Sequence, residues 1–324
     1  MIIVTGGAGF IGSAITAALN SRGVEDILIV DELGEDEKWK NLRNLRFADY
    51  LEVDDFNQTV AESDGDWDIE AIFHMGACSD TTETDATYLV KNNYEFSKLL
   101  CNWALSLGTR FIYASSAATY GDGSEGFSDD EDKLERLRPL NMYGYSKQLF
   151  DLWLKRRGLL DQVVGLKYFN VFGPNEYHKG EMRSFVHKAF EQIRDSGKVR
   201  LFQSHRPDCG HGQQRRDFIY IKDAVEMTLF FAEHPEANGI YNIGTGQSRT
   251  WNDLAEAVFR AMGKETCIEY IPMPESLQPN YQYFTQADIT KLRNAGCKIT
   301  PRPLEEAVRE YVQDYLMKGR YLGA

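Results

Sequence analysis

Tyr143 and Lys147 form the pair of side chains in this 324-residue sequence best suited to acid–base chemistry. Four residues apart, they share one face of the helix that the pattern of 143–157 predicts. A tyrosine, with a pKa of about 10, is a poor base at neutral pH, but a nearby ammonium favours the phenolate. Ser116, which follows the apolar run RFIYAS, could hold the substrate hydroxyl. The three residues predict proton removal from an alcohol whose carbon gives up hydride.

The first twelve residues, MIIVTGGAGFIG, offer a binding site for a hydride carrier. The β-branched run IIV predicts a buried strand, Gly6, Gly9 and Gly12 follow it, and the next residues have helical periodicity. Glycines in this setting allow a tight turn, close approach to a pyrophosphate and close packing of helix on strand. The helix N-terminus adds free N–H groups. Asp31, which ends the next apolar run, is placed to accept hydrogen bonds from an adenosine ribose.

Alternating strand and helix patterns predict an α/β protein with a Rossmann-type, doubly wound parallel sheet and a smaller C-terminal substrate-binding lobe. We assign residues 1–170 to the nucleotide-binding domain and 171–324 mainly to the substrate-binding lobe, with segments of about 217–247 returning to the first domain. Ligands of such sheets lie at the carboxyl ends of the strands. That edge would bring together the glycine turn, residues 76–79, Ser116 and Asn170.

Composition excludes several classes of partner. The net charge of −13 argues against nucleic acid and anionic membranes. No apolar run reaches the roughly 18 residues that span a bilayer. The chain opens directly on a core strand, and its five cysteines are few and widely spaced, so we expect a cytoplasmic protein with reduced thiols.

The glycine turn, the serine after the fifth strand and the run YGYSK together resemble the extended short-chain dehydrogenases/reductases, which act mainly on nucleotide sugars. Five longer stretches narrow the resemblance to the subgroup of epimerases that act on ADP-heptoses. They are AIFHMGACSDTTE (71–83), YASSAATYGD (113–122), PLNMYGYSK (139–147), YFNVFGPNEYHKGEM (168–182) and YQYFTQADI (281–289). The pattern of the related dehydratases has Asp-Glu after the active-site serine or threonine. In this chain Ala117 and Ala118 follow Ser116, so the resemblance is not to the dehydratases.

The resemblance implies inversion of C6 of the heptose through a transient ketone, in assembly of the lipopolysaccharide inner core. It assigns catalysis to Tyr143, Lys147, Ser116 and a second base, Lys179. The residues alone favour a phosphate-binding or surface lysine at position 179, and only the resemblance favours the second base. The resemblance also implies a homo-oligomer, a pentamer in the best-known case. The alternatives are another nucleotide-sugar enzyme, such as a UDP-hexose 4-epimerase, and a dinucleotide-sensing binding protein without activity.

Further ligand contacts are carried over from the resemblance. Those to the cofactor are Gly6, Gly9, Phe10, Ile11, Gly12, Asp31, Glu32, Lys38, Met75, Gly76, Ala77, Cys78, Ser79, Asn92, Tyr143, Lys147 and Val171. Those to the substrate are Ser116, Asn170, Lys179, Glu181, Phe202, Arg216 and Tyr281. Residues 203–215 are longer than the family pattern, so no contact is assigned there.

The choice between NAD and NADP rests on two opposing residues. The Asp31 carboxylate favours NAD because it repels a 2′-phosphate. Lys38 matches a family position that can neutralise that phosphate, so we expect tightly bound NADP, one per subunit, with NAD as the alternative. His205, Cys209 and His211 have a spacing that could ligate a metal but lack a fourth ligand, so no metal is expected.

Overall fold

Short runs of Ile, Val, Leu and Phe form the central strands, because a strand covered by helices on both faces of a parallel sheet must be apolar throughout. The computed structural model describes residues 1–62, 67–275, 277–278 and 281–323. Its strands are β1 (Ile2–Thr5), β2 (Ile27–Asp31), β3 (Asp49–Glu52), β4 (Ala71–His74), β5 (Arg110–Ser116), β6 (Val164–Tyr168), β7 (Asn170–Phe172), β8 (Val199–Phe202), β9 (Arg215–Tyr220), β10 (Gly239–Ile243), β11 (Ser248–Thr250) and β12 (Ile268–Ile271).

Helices cover both faces of the central sheet, and further helices pack on the small sheets and on one another. They are α1 (Phe10–Ser21), α2 (Val53–Glu62), α3 (Ala86–Leu89), α4 (Phe96–Ser106), α5 (Met142–Arg157), α6 (Phe185–Ser196), α7 (Ile221–Glu233), α8 (Trp251–Ala261), α9 (Thr290–Asn294) and α10 (Leu304–Glu310). A π-helical turn, Val90–Glu95, joins α3 to α4, and another, Tyr311–Tyr315, continues α10. Within the described residues, no helix is both long and apolar enough to cross a membrane.

Seven strands form one sheet in the order β10-β6-β5-β4-β1-β2-β3, and each neighbouring pair is parallel. One buried cluster joins α1 and α7 to one face of this sheet. A second cluster, which includes side chains of α2, α4 and α5, covers the other face. The predicted Rossmann-type, doubly wound parallel sheet is therefore confirmed.

The chain after β6 builds two small sheets and then returns to the large one. β11, β9 and β7 form a three-stranded sheet, and β12 pairs with β8. Between these segments, α7 packs on α1, and β10 pairs with β6 at the edge of the large sheet. The division of the chain into two domains at residue 170 stays a prediction. β7 begins at that residue and pairs with β9 rather than with the large sheet.

Candidate active site

The glycine turn between β1 and α1 brings backbone against backbone. Gly6 adopts φ +64°, and a Cβ at Gly12 would lie 2.2 Å from the Gly6 carbonyl oxygen. Helix α1 begins after Gly9 without a side-chain cap, and its first bond runs from Ser13 N–H to the Gly9 carbonyl (3.1 Å). The earlier N–H groups of such a helix lack intrahelical partners. A side-chain-free turn with an uncapped helix start fits the pyrophosphate of a dinucleotide.

Asp31, at the end of β2, holds this turn in place. Its Oδ2 accepts hydrogen bonds from the N–H groups of Ala8 (2.8 Å) and Gly9 (3.2 Å). Its Oδ1 accepts from Lys38 Nζ (2.9 Å) and from the N–H of Glu32 (2.8 Å). The carboxylate is thus a structural anchor as well as a candidate ribose ligand, and its nearest cation is the lysine considered in the cofactor choice.

Ser116 and Tyr143 meet where β5 and α5 approach each other. Ser116 is the last residue of β5 and caps the short 3₁₀ helix Ala117–Tyr120, accepting from Ala118 N–H (3.1 Å). Tyr143 lies in the first turn of α5, which Asn141 caps by accepting from Gly144 N–H (2.8 Å). Burial raises the pKa of Tyr143, while the Ser116 side chain acts in the opposite direction. Both residues line the same cleft, so both hydroxyls are available to one bound ligand.

Lys147 lies one helical turn after Tyr143. Its Nζ donates to the carbonyl of Ala114 in β5 (2.8 Å). Burial lowers its pKa to about 8, and the carboxylate of Asp151, a further turn along α5, acts in the opposite direction. The ammonium that could stabilise a phenolate is thus close to its own titration at physiological pH.

Lys179 reaches the same cleft from a different segment. It lies in the 3₁₀ stretch Tyr177–Met182, which bends at Gly180 (φ 51°). Its Nζ lies 5.4 Å from the centroid of the Phe10 ring. Burial lowers its pKa, which the nearby Glu176 carboxylate partly opposes. A lysine with a lowered pKa is better able to accept a proton near neutral pH.

One cleft of about 830 Å³ contacts the glycine turn, the end of β4, the end of β5 and the segment around Lys179. It collects most of the residues that the sequence singles out. They are Gly6, Gly9, Phe10, Ile11, Gly12, Asp31, Lys38, Met75, Gly76, Ala77, Cys78, Ser79, Ser116, Tyr143, Lys147, Asn170, Val171 and Lys179.

Arg216 and Tyr281 lie beside this cleft rather than in its lining. The Arg216 guanidinium carbon is 5.4 Å from the Tyr281 ring centroid and 5.8 Å from that of Trp251. Trp251 does line the cleft, as does Phe218, which follows Arg216 by two residues on β9. The guanidinium is therefore buried next to the cleft, on the same strand face as one of its walls.

Four further candidates also lie outside the lining. Glu32 is exposed. Glu181 is largely exposed (94%), with Lys188 Nζ 3.2 Å from its carboxylate. Phe202 ends β8. The Asn92 amide donates to the Tyr88 carbonyl (2.8 Å) within its own helical segment.

The neighbouring Asn93, which is not among the residues predicted from the sequence, contacts the loop that lines the cleft after β4. Its Oδ1 accepts from Cys78 N–H (2.8 Å), and its Nδ2 donates to the Cys78 carbonyl (2.9 Å) and to Ser146 Oγ (3.0 Å). Asn93 thus ties the loop after β4 to the helix that carries Tyr143. The π-helical turn shifts the facing side chains by one residue, and a simple 3.6-residue periodicity does not anticipate that shift.

The loop 203–215 is held by hydrogen bonds among its own polar groups and Tyr283. His205 Nδ1 lies 2.9 Å from the Tyr283 hydroxyl, and His211 Nδ1 accepts from Ser204 N–H (3.0 Å). Cys209 Sγ is directed to the Gly210 carbonyl (3.6 Å). Among the residues that the structure describes, no group of three or more His, Cys, Asp or Glu side chains is arranged to hold a metal ion.

The chain is similar in sequence and in fold to several known proteins. Residues 2–244 match the model of the NAD dependent epimerase/dehydratase family. The chain is 58% identical to the ADP-L-glycero-D-manno-heptose-6-epimerase of Nitratidesulfovibrio vulgaris (strain DP4), over 98% of both chains. It is 47% identical to the enzyme of that name from Fusobacterium nucleatum, again over 98% of both. The crystal structure of the Helicobacter pylori ADP-L-glycero-D-manno-heptose-6-epimerase superposes with a TM-score of 0.81 at 27% identity, covering 97% of this chain and 95% of that one.

Proposed function

The chain belongs to the NAD dependent epimerase/dehydratase family, and on that premise we propose that it inverts C6 of the heptose in ADP-D-glycero-D-manno-heptose to give ADP-L-glycero-D-manno-heptose. The observation that carries the proposal is that two candidate acid–base side chains from separate segments, Tyr143 and Lys179, line one cleft. Inversion needs an acid–base group for each orientation of the substrate. Relatives 47–58% identical that bear the name of this epimerase support the same substrate.

The dinucleotide would bind along the glycine turn, the N-terminus of α1 and residues 75–79. The chemistry it supplies when bound is removal of a hydride from C6 and its return to the opposite face, with a ketone between the two transfers. The absence of a side-chain cap on α1 and the close approach of Gly12 to Gly6 support this assignment.

The protein's own groups would handle the proton. Ser116 orients the C6 hydroxyl, and Tyr143, which lines the same cleft, takes or gives the proton in one orientation. Lys147 keeps a positive charge near the phenolate. Lys179, whose pKa burial lowers, does the work of Tyr143 when the ketone presents its other face.

The ADP portion would extend away from these groups. Arg216, beside Trp251 and Tyr281, suits a diphosphate because a guanidinium can form paired hydrogen bonds with phosphate oxygens. Phe202 and Tyr281 are proposed to contact the nucleoside, and Asn170 and Glu181 to lie towards the sugar.

The test is to incubate the purified protein with ADP-D-glycero-D-manno-heptose without added cofactor and to follow the C6 epimer by chromatography. Tyr143→Phe and Lys179→Met should each lower kcat by about 100-fold or more, because each loses an acid–base group. Lys198→Met, at an exposed lysine, is the control and should retain full activity.

Three results would overturn the proposal. Near-normal turnover by Lys179→Met would exclude the two-base mechanism. Turnover of UDP-galactose but not of the ADP-heptose would assign the chain to the 4-epimerases, and dinucleotide binding without turnover of either would make it a binding protein.

For the cofactor itself, we propose NADP, with NAD as the alternative. The Lys38 ammonium, 2.9 Å from Asp31 Oδ1 at the edge of the cleft, is the group that would meet a 2′-phosphate. Lys38→Met should weaken NADP binding about tenfold and NAD binding much less, because a single phosphate contact of this kind is worth about 1–2 kcal/mol. Calorimetry and identification of the nucleotide released on denaturation test this. Release of NAD, with equal effects on both nucleotides, would contradict it.

We also propose that the protein is a cytoplasmic homo-oligomer and that its product is used to assemble the lipopolysaccharide inner core. The five cysteines, all free thiols, are consistent with a reducing compartment. Light scattering would test the pentamer, with an expected mass of five times 37.0 kDa. A mass equal to that of one chain would contradict it.

A further inference from the structure

A buried ion pair lies directly behind the catalytic side chains. Lys167 Nζ, on β6, is 3.2 Å from Asp151 Oδ2, on α5, and both side chains are completely buried. Asp151 also accepts hydrogen bonds from the hydroxyls of Tyr113 (2.8 Å) and Ser115 (2.8 Å). Removing two charges from water costs several kcal/mol per ion, so such a pair adds little net stability. Its place behind the active site indicates a different role.

The lysine of this pair is connected to the backbone of Ser116. Lys167 Nζ donates to Thr119 Oγ1 (2.6 Å), and Thr119 Oγ1 donates to the Ser116 carbonyl (2.8 Å). Ser115, which bonds Asp151, is the preceding residue in β5. The ion pair therefore fixes the end of β5 from two directions.

The aspartate of the pair belongs to the helix that carries the other catalytic residues. Tyr143, Lys147 and Asp151 are spaced by four residues along α5 and so occupy one face of the helix. The Asp151 carboxylate is thus fixed to β5 by hydrogen bonds and one turn away from Lys147 along α5. It links the two elements whose relative position brings Ser116 and Tyr143 together.

We propose that Asp151 and Lys167 are positioning residues of the epimerase reaction: the pair fixes the end of β5 to α5 and so holds Ser116 against Tyr143. This inference rests on the proposed function, because it assigns roles in that reaction. Neither residue lines the cleft, so both act through Ser116, Tyr143 and Lys147.

The charge state of Lys147 depends on the titratable groups that face it. They are His74 on β4, Cys78 in the following loop, and Tyr143 and Asp151 on its own helix. Burial lowers the pKa of Lys147 to about 8, and Asp151 is the largest influence in the opposite direction. Loss of the Asp151 charge should therefore lower that pKa further.

The pair itself is surrounded by groups from other elements. Tyr113 on β5 donates to Asp151, and the Tyr120 ring centroid lies 4.7 Å from Lys167 Nζ. Asp129 favours the charged form of Lys167. Loss of the Lys167 charge leaves the Asp151 carboxylate uncompensated, which should raise the pKa of Lys147. The two single substitutions therefore predict shifts of opposite sign.

The experiment measures kcat and the affinity for NADP and NAD between pH 6 and 10. Activity should fall above the pKa of Lys147 as its ammonium is lost. In Asp151→Asn this alkaline limb should move down by about one pH unit, and in Lys167→Met it should move up by a smaller amount. KM should change less than kcat, because the pair contacts neither ligand.

The matched control is Asp223→Asn. Asp223 is also buried and ion-paired, with Arg302 Nε 3.1 Å away, but it lies on α7. Its loss should reduce stability without moving the limb. If Asp151→Asn behaves in the same way, and Lys167→Met also leaves the limb unchanged, the pair is only structural and the inference is wrong.

Two other failures can be distinguished from this outcome: a variant that does not fold, and a wild-type protein that lacks the proposed activity. Should either single variant not fold, the neutral double variant Asp151→Asn/Lys167→Met removes both buried charges, and its limb should still lie below that of the wild type. A wild type that does not turn over ADP-heptose overturns the proposed function. The pH dependence of dinucleotide affinity, through Lys147, then still decides whether the pair acts on that lysine.

Discussion

Gly12 shows how much depends on a single missing side chain. A Cβ at this position would lie 2.2 Å from the Gly6 carbonyl oxygen, far inside any real contact distance, and the obstacle is backbone that cannot rotate away. A Cβ at Gly9 would be 3.0 Å from the same oxygen, which a small shift can relieve. The two glycines therefore differ in what they tolerate, although they look alike in the sequence.

Gly12→Ala should lower the free energy of unfolding by about 1–3 kcal/mol, because the turn must open to admit the methyl group. Dinucleotide affinity should fall with it, since the N-terminus of α1 moves. Chemical denaturation and calorimetry measure the two effects. Gly9→Ala is the comparison and should cost less stability. Equal losses in the two variants would contradict this account.

At the scale of the element, α5 carries the proposed catalytic residues Tyr143 and Lys147, and its first turn depends on its N-cap. Asn141 caps the helix by accepting from Gly144 N–H (2.8 Å), and Tyr143 lies within that first turn. At the other end, Gly158 closes the helix in the left-handed region (φ 66°). The cap therefore determines both the stability of the first turn and the position of the Tyr143 hydroxyl.

Asn141→Ala should destabilise the protein by about 1 kcal/mol, as is typical for loss of a helix N-cap. It should also lower kcat more than it raises KM, because Tyr143 loses its fixed position. Thermal unfolding and steady-state kinetics measure these changes. Asn141→Asp keeps an accepting oxygen and should retain most of both properties. Equal kcat values for Asn141→Ala and the wild type would separate the cap from catalysis.

At the scale of the whole molecule, histidines buried as neutral rings make stability depend on pH. His74 on β4 is bonded at both ring nitrogens, to Thr5 Oγ1 (2.7 Å) and Ser97 Oγ (2.8 Å), so its ring joins β1 to α4 across the sheet. Burial lowers its pKa from 6.5 to about 3. Burial also lowers the pKa of His178 and of His187, each to about 4.

Because the unfolded chain protonates His74 near pH 6.5 and the folded protein does not, stability is lost as the pH falls below that value. Between pH 7 and 5 this one residue should cost about 2 kcal/mol. In His74→Gln the loss over this interval should be smaller by that amount, whatever the variant's stability at pH 7. Denaturation at the two pH values tests this, with the exposed His205→Gln as control. The same loss in His74→Gln as in the wild type would contradict the assignment.

Much of the fold could be predicted because its signals are local. The runs at 27–31, 71–74 and 110–115 are apolar and β-branched, and the structure has strands there. β7, β8 and β11 were not predicted. They have three or four residues each, and the partners that make them strands lie far away in sequence, as with Asn170 opposite Phe218. So short a segment has too little periodicity of its own.

The sequence by itself determined the dinucleotide turn, the strand–helix alternation that predicts a parallel sheet, and the Tyr143–Lys147 spacing, because each depends on residues close together in the chain. Only the tertiary structure decided that Lys179 shares a cleft with Tyr143, that Asn93 joins the loop after β4 to α5, and that Asp151 and Lys167 pair behind Ser116. These relations depend on contacts between distant elements and on burial. Burial is also what lowers the pKa values of Lys147 and Lys179, and no spacing in the sequence encodes it.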